Sequence, residues 1–221
     1  MYNFTFNIPT KIHFGKDTIS SLSELKAYGS KVLLVYGGGS IKKNGLYDTA
    51  MKILKDAGLT VFELSGVEPN PKIETVRKGV EICKNEGIDM VLAIGGGSTI
   101  DCSKVVAAGA RYDGDAWDLV LDGSKVKAAL PIFDVLTLSA TGTEMDPFAV
   151  ISDMSKNEKW GTGSPYMVPT MSILNPEYTF SVSKKQTAAG TADMMSHTME
   201  NYFLWRMLTA RNLWQRDCYV Q

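Results

Sequence analysis

Histidine is almost absent from these 221 residues: His13 and His197 are the only two, so no cluster of three imidazoles can form within the chain. Cysteine is scarce as well. Cys83, Cys102 and Cys218 are odd in number, far apart and without a Cys-x-x-Cys pair. That excludes a disulfide framework and points to free thiols in a reducing cytoplasm. Cys83 and Cys102 fall within helical patterns, where a cysteine is more often a core residue than a nucleophile. No stretch reaches the roughly eighteen apolar residues of a membrane-spanning helix. The start, Met1-Tyr-Asn-Phe-Thr-Phe, lacks the basic end and apolar centre of a signal peptide. The net charge is −1, and the basic pairs Lys42-Lys43 and Lys184-Lys185 are too short for a polyanion groove. Nucleic acid and membrane surfaces are therefore not expected partners.

What is present fits a soluble globular protein, with 44% apolar and 21% charged residues. The length suits one large domain, or one domain and part of a second. Residues 2–14 alternate loosely and predict one or two strands with a turn at Pro9, and Asp17 to Leu25 has helical spacing. Lys31–Tyr36 and Asp89–Ile94 are short apolar runs of the kind buried on both faces of a parallel sheet. Helical spacing follows each, over Asn44–Ala57 and Ile100–Ala110. A further strand, Thr60–Leu64, precedes a helix over Lys72–Glu86, with glycines at 58 and 87 placed as helix stops. Strands recur at Ile132–Leu138, Ala149–Ser152 and Met171–Leu174. This tempo predicts a doubly wound α/β sheet. From about Ser183 the pattern is helical only, which divides the chain into an α/β domain over 1–182 and the start of an all-α domain over 183–203.

Two strand ends run into the same tetrapeptide, Gly37-Gly-Gly-Ser40 and Gly95-Gly-Gly-Ser98. A glycine turn before a helix aims bare N–H groups and the positive end of the helix dipole at one point, and it lets a pyrophosphate approach the backbone. The alternative for the second copy is a tight turn with Ser98 as N-cap. The turn at 37–40 has no acid to accept from an adenosine ribose, and Lys42 and Lys43 follow it. That favours NADP(H) over NAD(H), against the alternative of a plain turn with two solvated lysines. Asn70 is held between Pro69 and Pro71. Near the end of the chain, Asp193 and His197 stand four apart, on one helical face, where both reach one small cation such as Fe²⁺ or Zn²⁺. Read alone, the spacing favours the plainer reading, with Asp193 a helix cap and His197 an ordinary polar residue, because such pairs are common by chance.

The stretch Gln186-Thr-Ala-Ala-Gly-Thr-Ala-Asp-Met-Met-Ser-His-Thr-Met-Glu200 resembles the metal-binding helix of the iron-containing (group III) alcohol dehydrogenases, most of all the NAD(P)H-dependent butanol dehydrogenases. Gly95-Gly-Gly-Ser-Thr-Ile-Asp-Cys-Ser-Lys104 resembles the pyrophosphate loop and helix of that family. The resemblance spans residues 1–203 and implies a Rossmann-like, dehydroquinate synthase-like fold. It implies that Gly38, Gly39, Ser40, Asn70, Gly95, Gly96, Gly97, Ser98, Asp101, Thr137, Thr141 and Lys159 bind the coenzyme. Asp101 either orients coenzyme or substrate or sits in the first helical turn, where the dipole favours a carboxylate. Lys159 is otherwise an exposed ion-pair partner. Thr137-Leu-Ser-Ala-Thr-Gly-Thr-Glu144 resembles the loop beside the ribose and nicotinamide, with Tyr178 and Phe180 as an apolar wall or simple core. The implied reaction is reversible oxidation of a primary alcohol to its aldehyde, with the metal activating the alcohol oxygen. A homodimer through the N-terminal strands is implied too.

In that family an Asp and three His hold the metal. Asp193 and His197 match the first two, and His13 is on the wrong element to supply a third. Residues 204–221 depart from the family pattern, with three arginines and no lysine where residues 1–203 have eighteen lysines and two arginines. The expectation is a break in the reading frame or a fusion boundary near residue 204. A family fragment of doubtful activity, with two of four metal ligands, is expected to follow from it. The competing readings are a nucleotide-binding module without turnover and a metal-dependent lyase of the related dehydroquinate synthase-like fold. The absence of basic clusters for a phosphorylated or acidic sugar stands against the lyase.

Overall fold

The computed structural model describes residues 3, 5 and 7–218, with side chains as far as Phe203. The expectation about residues 204–221 therefore rests on side chains outside the described residues. The chain divides into two compact units, 1–180 and 181–221. The first holds strands β1 (Lys11–Phe14), β2 (Lys31–Tyr36), β3 (Thr60–Leu64), β4 (Met90–Gly95), β5 (Ile132–Leu136), β6 (Phe148–Asp153), β7 (Glu158–Gly163) and β8 (Met171–Leu174). Its helices are α1 (Ser40–Lys43), α2 (Leu46–Asp56), α3 (Ile73–Glu86), α4 (Gly97–Gly109) and α5 (Ala116–Leu121). A 3-10 helix, Thr18–Tyr28, lies between β1 and β2. The second unit holds α6, Lys184–Cys218. No described helix is long and apolar enough to cross a membrane.

Six strands form one parallel sheet in the order β1-β8-β5-β4-β2-β3. β4 and β5 are buried along their whole length, which is why β4 reads as an unbroken apolar run and β5 as one interrupted only by Asp134. On β2 the side chains alternate between faces. Leu33 and Val35 join the core under α3, α4 and α5, whereas Val32, Leu34 and Tyr36 join the core under α2 and the 3-10 helix. Helices on both faces make the sheet doubly wound, as the sequence predicts. Cys83 and Cys102 are buried in the first core, and burial pushes both thiols up to about 12. They are core residues at neutral pH, not nucleophiles.

Three local expectations are corrected. The segment 149–152 does not enter the parallel sheet. It lies in β6, which pairs antiparallel with β7 in a separate hairpin turning at Asn157. Its burial alternates from Phe148 to Ile151, so it has one dry face and one wet face. The partner strand β7 is polar and glycine-containing, and its apolar pattern gave no strand signal. The helix expected from Ile100 starts three residues earlier. Its N-cap is Gly96, and Ser98 lies inside the first turn without capping it. Asp193 is likewise no cap, because α6 begins nine residues before it.

Candidate functional site

The order of the sheet decides where a ligand can sit. From β2 the chain passes through α1 and α2 to β3 on one side. From β4 it passes by way of α4 and α5 to β5 on the other side. β2 and β4 are neighbours in register, with Tyr36 opposite Ile94. Their carboxyl ends therefore flank the point where the winding reverses, the place at which open α/β sheets take ligands. The two Gly-Gly-Gly-Ser turns close these two strands. Sequence spacing reveals the turns, but only the strand order makes them adjacent.

At the β4 turn each glycine is there for a different reason. A Cβ on Gly95 would meet the Thr99 side chain at 2.5 Å, so packing alone demands glycine. On Gly96 it would lie 3.3 Å from Leu138. On Gly97 it would reach Thr143 at 3.5 Å and Thr141 at 3.7 Å, an ordinary contact distance. Gly97 thus sits beside the threonines of the loop after β5 and leaves open space that a side chain would occupy. No side-chain hydrogen bond caps α4. Its first turn presents backbone N–H groups to that space.

At the β2 turn a cleft of about 320 Å³ is lined by Tyr36, Gly37, Gly38, Gly39, Lys42, Ser65 and Gly66. Gly39 has φ of 99°, a conformation natural to glycine. Ser40 is exposed as the first residue of α1. Lys42 is not a free cation. Its Nζ lies 5.0 Å and 4.4 Å from the ring centres of Tyr36 and Tyr47, and 4.0 Å from Glu63 Oε2. Sequence reading missed Glu63, whose one signal is a lone acid inside the apolar strand β3.

The loop after β5 is tied down from α4. Thr137 N–H donates to the Gly95 carbonyl at 2.9 Å, which joins the two strand ends. Lys104 is fully buried. Its Nζ lies 2.8 Å from each of Thr143 Oγ1, the Asp146 carbonyl, Asp146 Oδ1 and the Phe148 carbonyl, four acceptors that share its three N–H protons. Thr143 Oγ1 in turn donates to Asp101 Oδ1 at 2.7 Å, and Val150 N–H donates to Asp101 Oδ2 at 3.0 Å. Burial pushes the Asp101 carboxyl up and the Lys104 ammonium down, against these hydrogen bonds. Asp101 thus stands beyond the first turn of α4, and both its oxygens are engaged in holding the 143–150 segment. Thr141, by contrast, is exposed next to Gly97.

Asn70 and Lys159, 89 residues apart, meet. Lys159 Nζ donates to Asn70 Oδ1 at 2.7 Å, and among the described residues it has no ion-pair partner. Asn70 has φ of 54°, and Ser152 N–H donates to the Pro71 carbonyl, which fastens the Pro-Asn-Pro turn to the hairpin. Tyr178 is partly buried against the core, whereas Phe180 is exposed.

On α6, Asp193 Oδ1 and His197 Nε2 are 3.7 Å apart and both side chains are more than half exposed. One carboxylate and one imidazole suit iron or zinc chemically. They do not complete a site: among the described residues no group of three or more His, Cys, Asp or Glu can hold a metal ion. His13 has partners of its own, Ser21 Oγ at 3.1 Å and Glu24 at 3.3 Å.

The sequence profile of the iron-containing alcohol dehydrogenases matches residues 9–176. This chain belongs to the iron-containing alcohol dehydrogenase family. It is 62% identical over 204 residues to NADH-dependent butanol dehydrogenase A of Clostridium acetobutylicum, covering 92% of this chain and 52% of that one. It is 40% identical over 205 residues to the NADPH-dependent aldehyde reductase of Escherichia coli, covering 91% and 52%. The crystal structure of NADH-dependent butanol dehydrogenase A of Thermotoga maritima superposes with a TM-score of 0.86 at 49% identity, covering 90% of this chain and 51% of that one. The chain spans about half the length of the curated relatives it matches.

Proposed function

We propose that this chain is the coenzyme-binding half of an NADH-dependent dehydrogenase that interconverts a primary alcohol, such as butanol, and its aldehyde by hydride transfer. The observation that carries this reading is the pair of Gly-Gly-Gly-Ser turns on adjacent strand ends at the switch point of the sheet. In this reading Gly95, Gly96, Gly97 and Ser98 cradle the pyrophosphate at α4. Gly38, Gly39 and Ser40 face the adenosine ribose. Thr137 and Thr141 border the nicotinamide, and Asn70 with Lys159 closes the side opposite. Asp101 supports the loop behind them. The sequence argument for NADP(H) rests on Lys42 and Lys43 being available. The engagement of Lys42 with Glu63 weakens it, and the relatives at 62% and 59% identity are named NADH-dependent. NAD(H) is therefore our reading.

Binding is tested by titrating NADH fluorescence with the 221-residue chain. The expected result is saturable one-to-one binding. Gly97→Val, which fills the space before α4, is expected to weaken binding about tenfold or more while leaving the fold intact. No binding by the parent chain would sink the reading.

Asp193 and His197 would be the metal ligands this chain contributes, a carboxylate and an imidazole, and an iron held by them would supply Lewis-acid chemistry toward the alcohol oxygen. With two donors, iron or zinc is expected to wash out during dialysis, read by metal analysis of the dialysed chain; retention at one ion per chain would contradict this. The two-donor set also favours a second reading, a module that binds the dinucleotide without turnover. NADH oxidation with butanal and added Fe²⁺ under anaerobic conditions separates the two. A pairing of two copies along β1, the sheet edge that exposes Ile12 and Phe14, belongs to the same proposal.

A further inference from the structure

We propose that Glu63 is the residue that sets coenzyme preference, by placing a carboxylate held by two tyrosines 4.0 Å from Lys42, where it opposes a 2′-phosphate. The inference rests on the coenzyme reading above. Glu63 is the penultimate residue of β3, beside β2, and Tyr36 ends β2 immediately before the first Gly-Gly-Gly-Ser turn. Both of its oxygens are engaged: Tyr36 Oη donates to Oε2 at 2.6 Å and Tyr47 Oη to Oε1 at 2.8 Å. The hydroxyl of Tyr36 above all, with that of Tyr47 and the nearby charges of Lys42 and Lys55, holds the Glu63 carboxyl below its ordinary range, so it is ionised at neutral pH. The tyrosine rings meet edge to face at 5.7 Å and 62°, and the Lys42 ammonium rests over both. Its charge is thus set between two ring faces and one fixed carboxylate.

Tyr36 and Lys42 line the cleft that holds Gly37, Gly38 and Gly39, so this cluster forms one wall of the ribose end of the crevice. A ribose 2′-hydroxyl is neutral and can donate a hydrogen bond. A 2′-phosphate brings roughly two negative charges at pH 7. Placed against Lys42, it would also stand against a carboxylate that two tyrosines prevent from moving away. The device is a repulsive element built beside an attractive one, which is how close ligands are told apart.

The test compares dissociation constants of NADH and NADPH for the parent chain, Glu63→Gln and Lys42→Met. Glutamine keeps the shape and an oxygen for one tyrosine but removes the charge. The parent is expected to prefer NADH. Glu63→Gln is expected to tighten NADPH about tenfold while changing NADH less than about threefold. In the parent background Lys42→Met, a change at a half-exposed side chain, is expected to leave the weak NADPH binding unchanged, because the Glu63 carboxylate offsets the charge of the lysine toward a phosphate. A parent that prefers NADPH would overturn the proposal. So would an unchanged ratio in Glu63→Gln, or a Lys42→Met variant that loses NADPH alone; in each case NADH binding preserves the coenzyme reading. Binding of neither coenzyme by the parent would fail both together.

Discussion

Replacing Lys104 by methionine is expected to cost the folded chain about 1–3 kcal/mol, because buried acceptors lose their donor while the Asp146 carboxylate left behind is partly exposed. The side chain is completely buried and surrounded by four oxygen acceptors from residues 143–148. Methionine keeps the volume of the stem and adds no donor. Asp146 then loses its counter-charge, and the Asp146 and Phe148 carbonyls lose this donor. Thr143, which bridges Lys104 to Asp101, loses one side of its bridge. The effect should extend to binding, because Thr141 and Thr143 stand against Gly97 at the head of α4. The expected result is a lowered urea midpoint together with weaker NADH binding. An unchanged midpoint would show that the buried cation adds nothing to the loop, and an unchanged dissociation constant would show that the loop does not shape the coenzyme site.

Asp134→Asn should change how stability depends on pH. Asp134 lies in β5 with no exposure. Ser172 Oγ lies 2.6 Å from Asp134 Oδ2 and 2.7 Å from the Glu144 carbonyl. The hydroxyl has one proton, and a carbonyl cannot donate. Both contacts are hydrogen bonds only if Asp134 is a carboxylic acid that donates to Ser172, which in turn donates to Glu144. Burial, with the nearby charge of Glu144, pushes the Asp134 carboxyl well above its ordinary value; the Ser172 hydroxyl and Lys104 pull the other way. A carboxyl raised on folding holds a proton that the unfolded chain releases. Its contribution is therefore intact below the unfolded value and is lost as pH rises toward the folded one. Asparagine supplies an N–H to Ser172 at any pH. Asp134→Asn is expected to flatten the pH dependence of stability, so that the variant compares more favourably with the parent at pH 8 than at pH 5. Urea melts at the two pH values measure it. A variant with the same pH slope as the parent would rule out the neutral acid.

Much of this arrangement is legible along the chain because its determinants are local. A strand buried on both faces is largely apolar, so β2 and β4 announce themselves, and β5 does so despite the buried Asp134 at its centre. The glycine turns are visible because a helix that starts directly after a strand needs residues that tolerate the bend. The spacing of Asp193 and His197 translates into proximity through helix geometry alone, since residues four apart share a face wherever a helix goes. The hairpin of β6 and β7 is less legible, because half its strand residues face water and its second strand carries little apolar signal.

By itself, the sequence determined the alternation of strands and helices, the two phosphate-type turns, the helical pair of metal-type donors and the family. Only the tertiary structure decided which of these features meet. The strand order set the two glycine turns side by side, brought Lys159 to Asn70 across 89 residues, closed Lys104 inside the 143–148 loop and set Glu63 beside Lys42. The reason is physical. Backbone periodicity fixes neighbours within a few residues. The partner of a charged or polar side chain depends instead on which strands the sheet places together and on how little water remains between them.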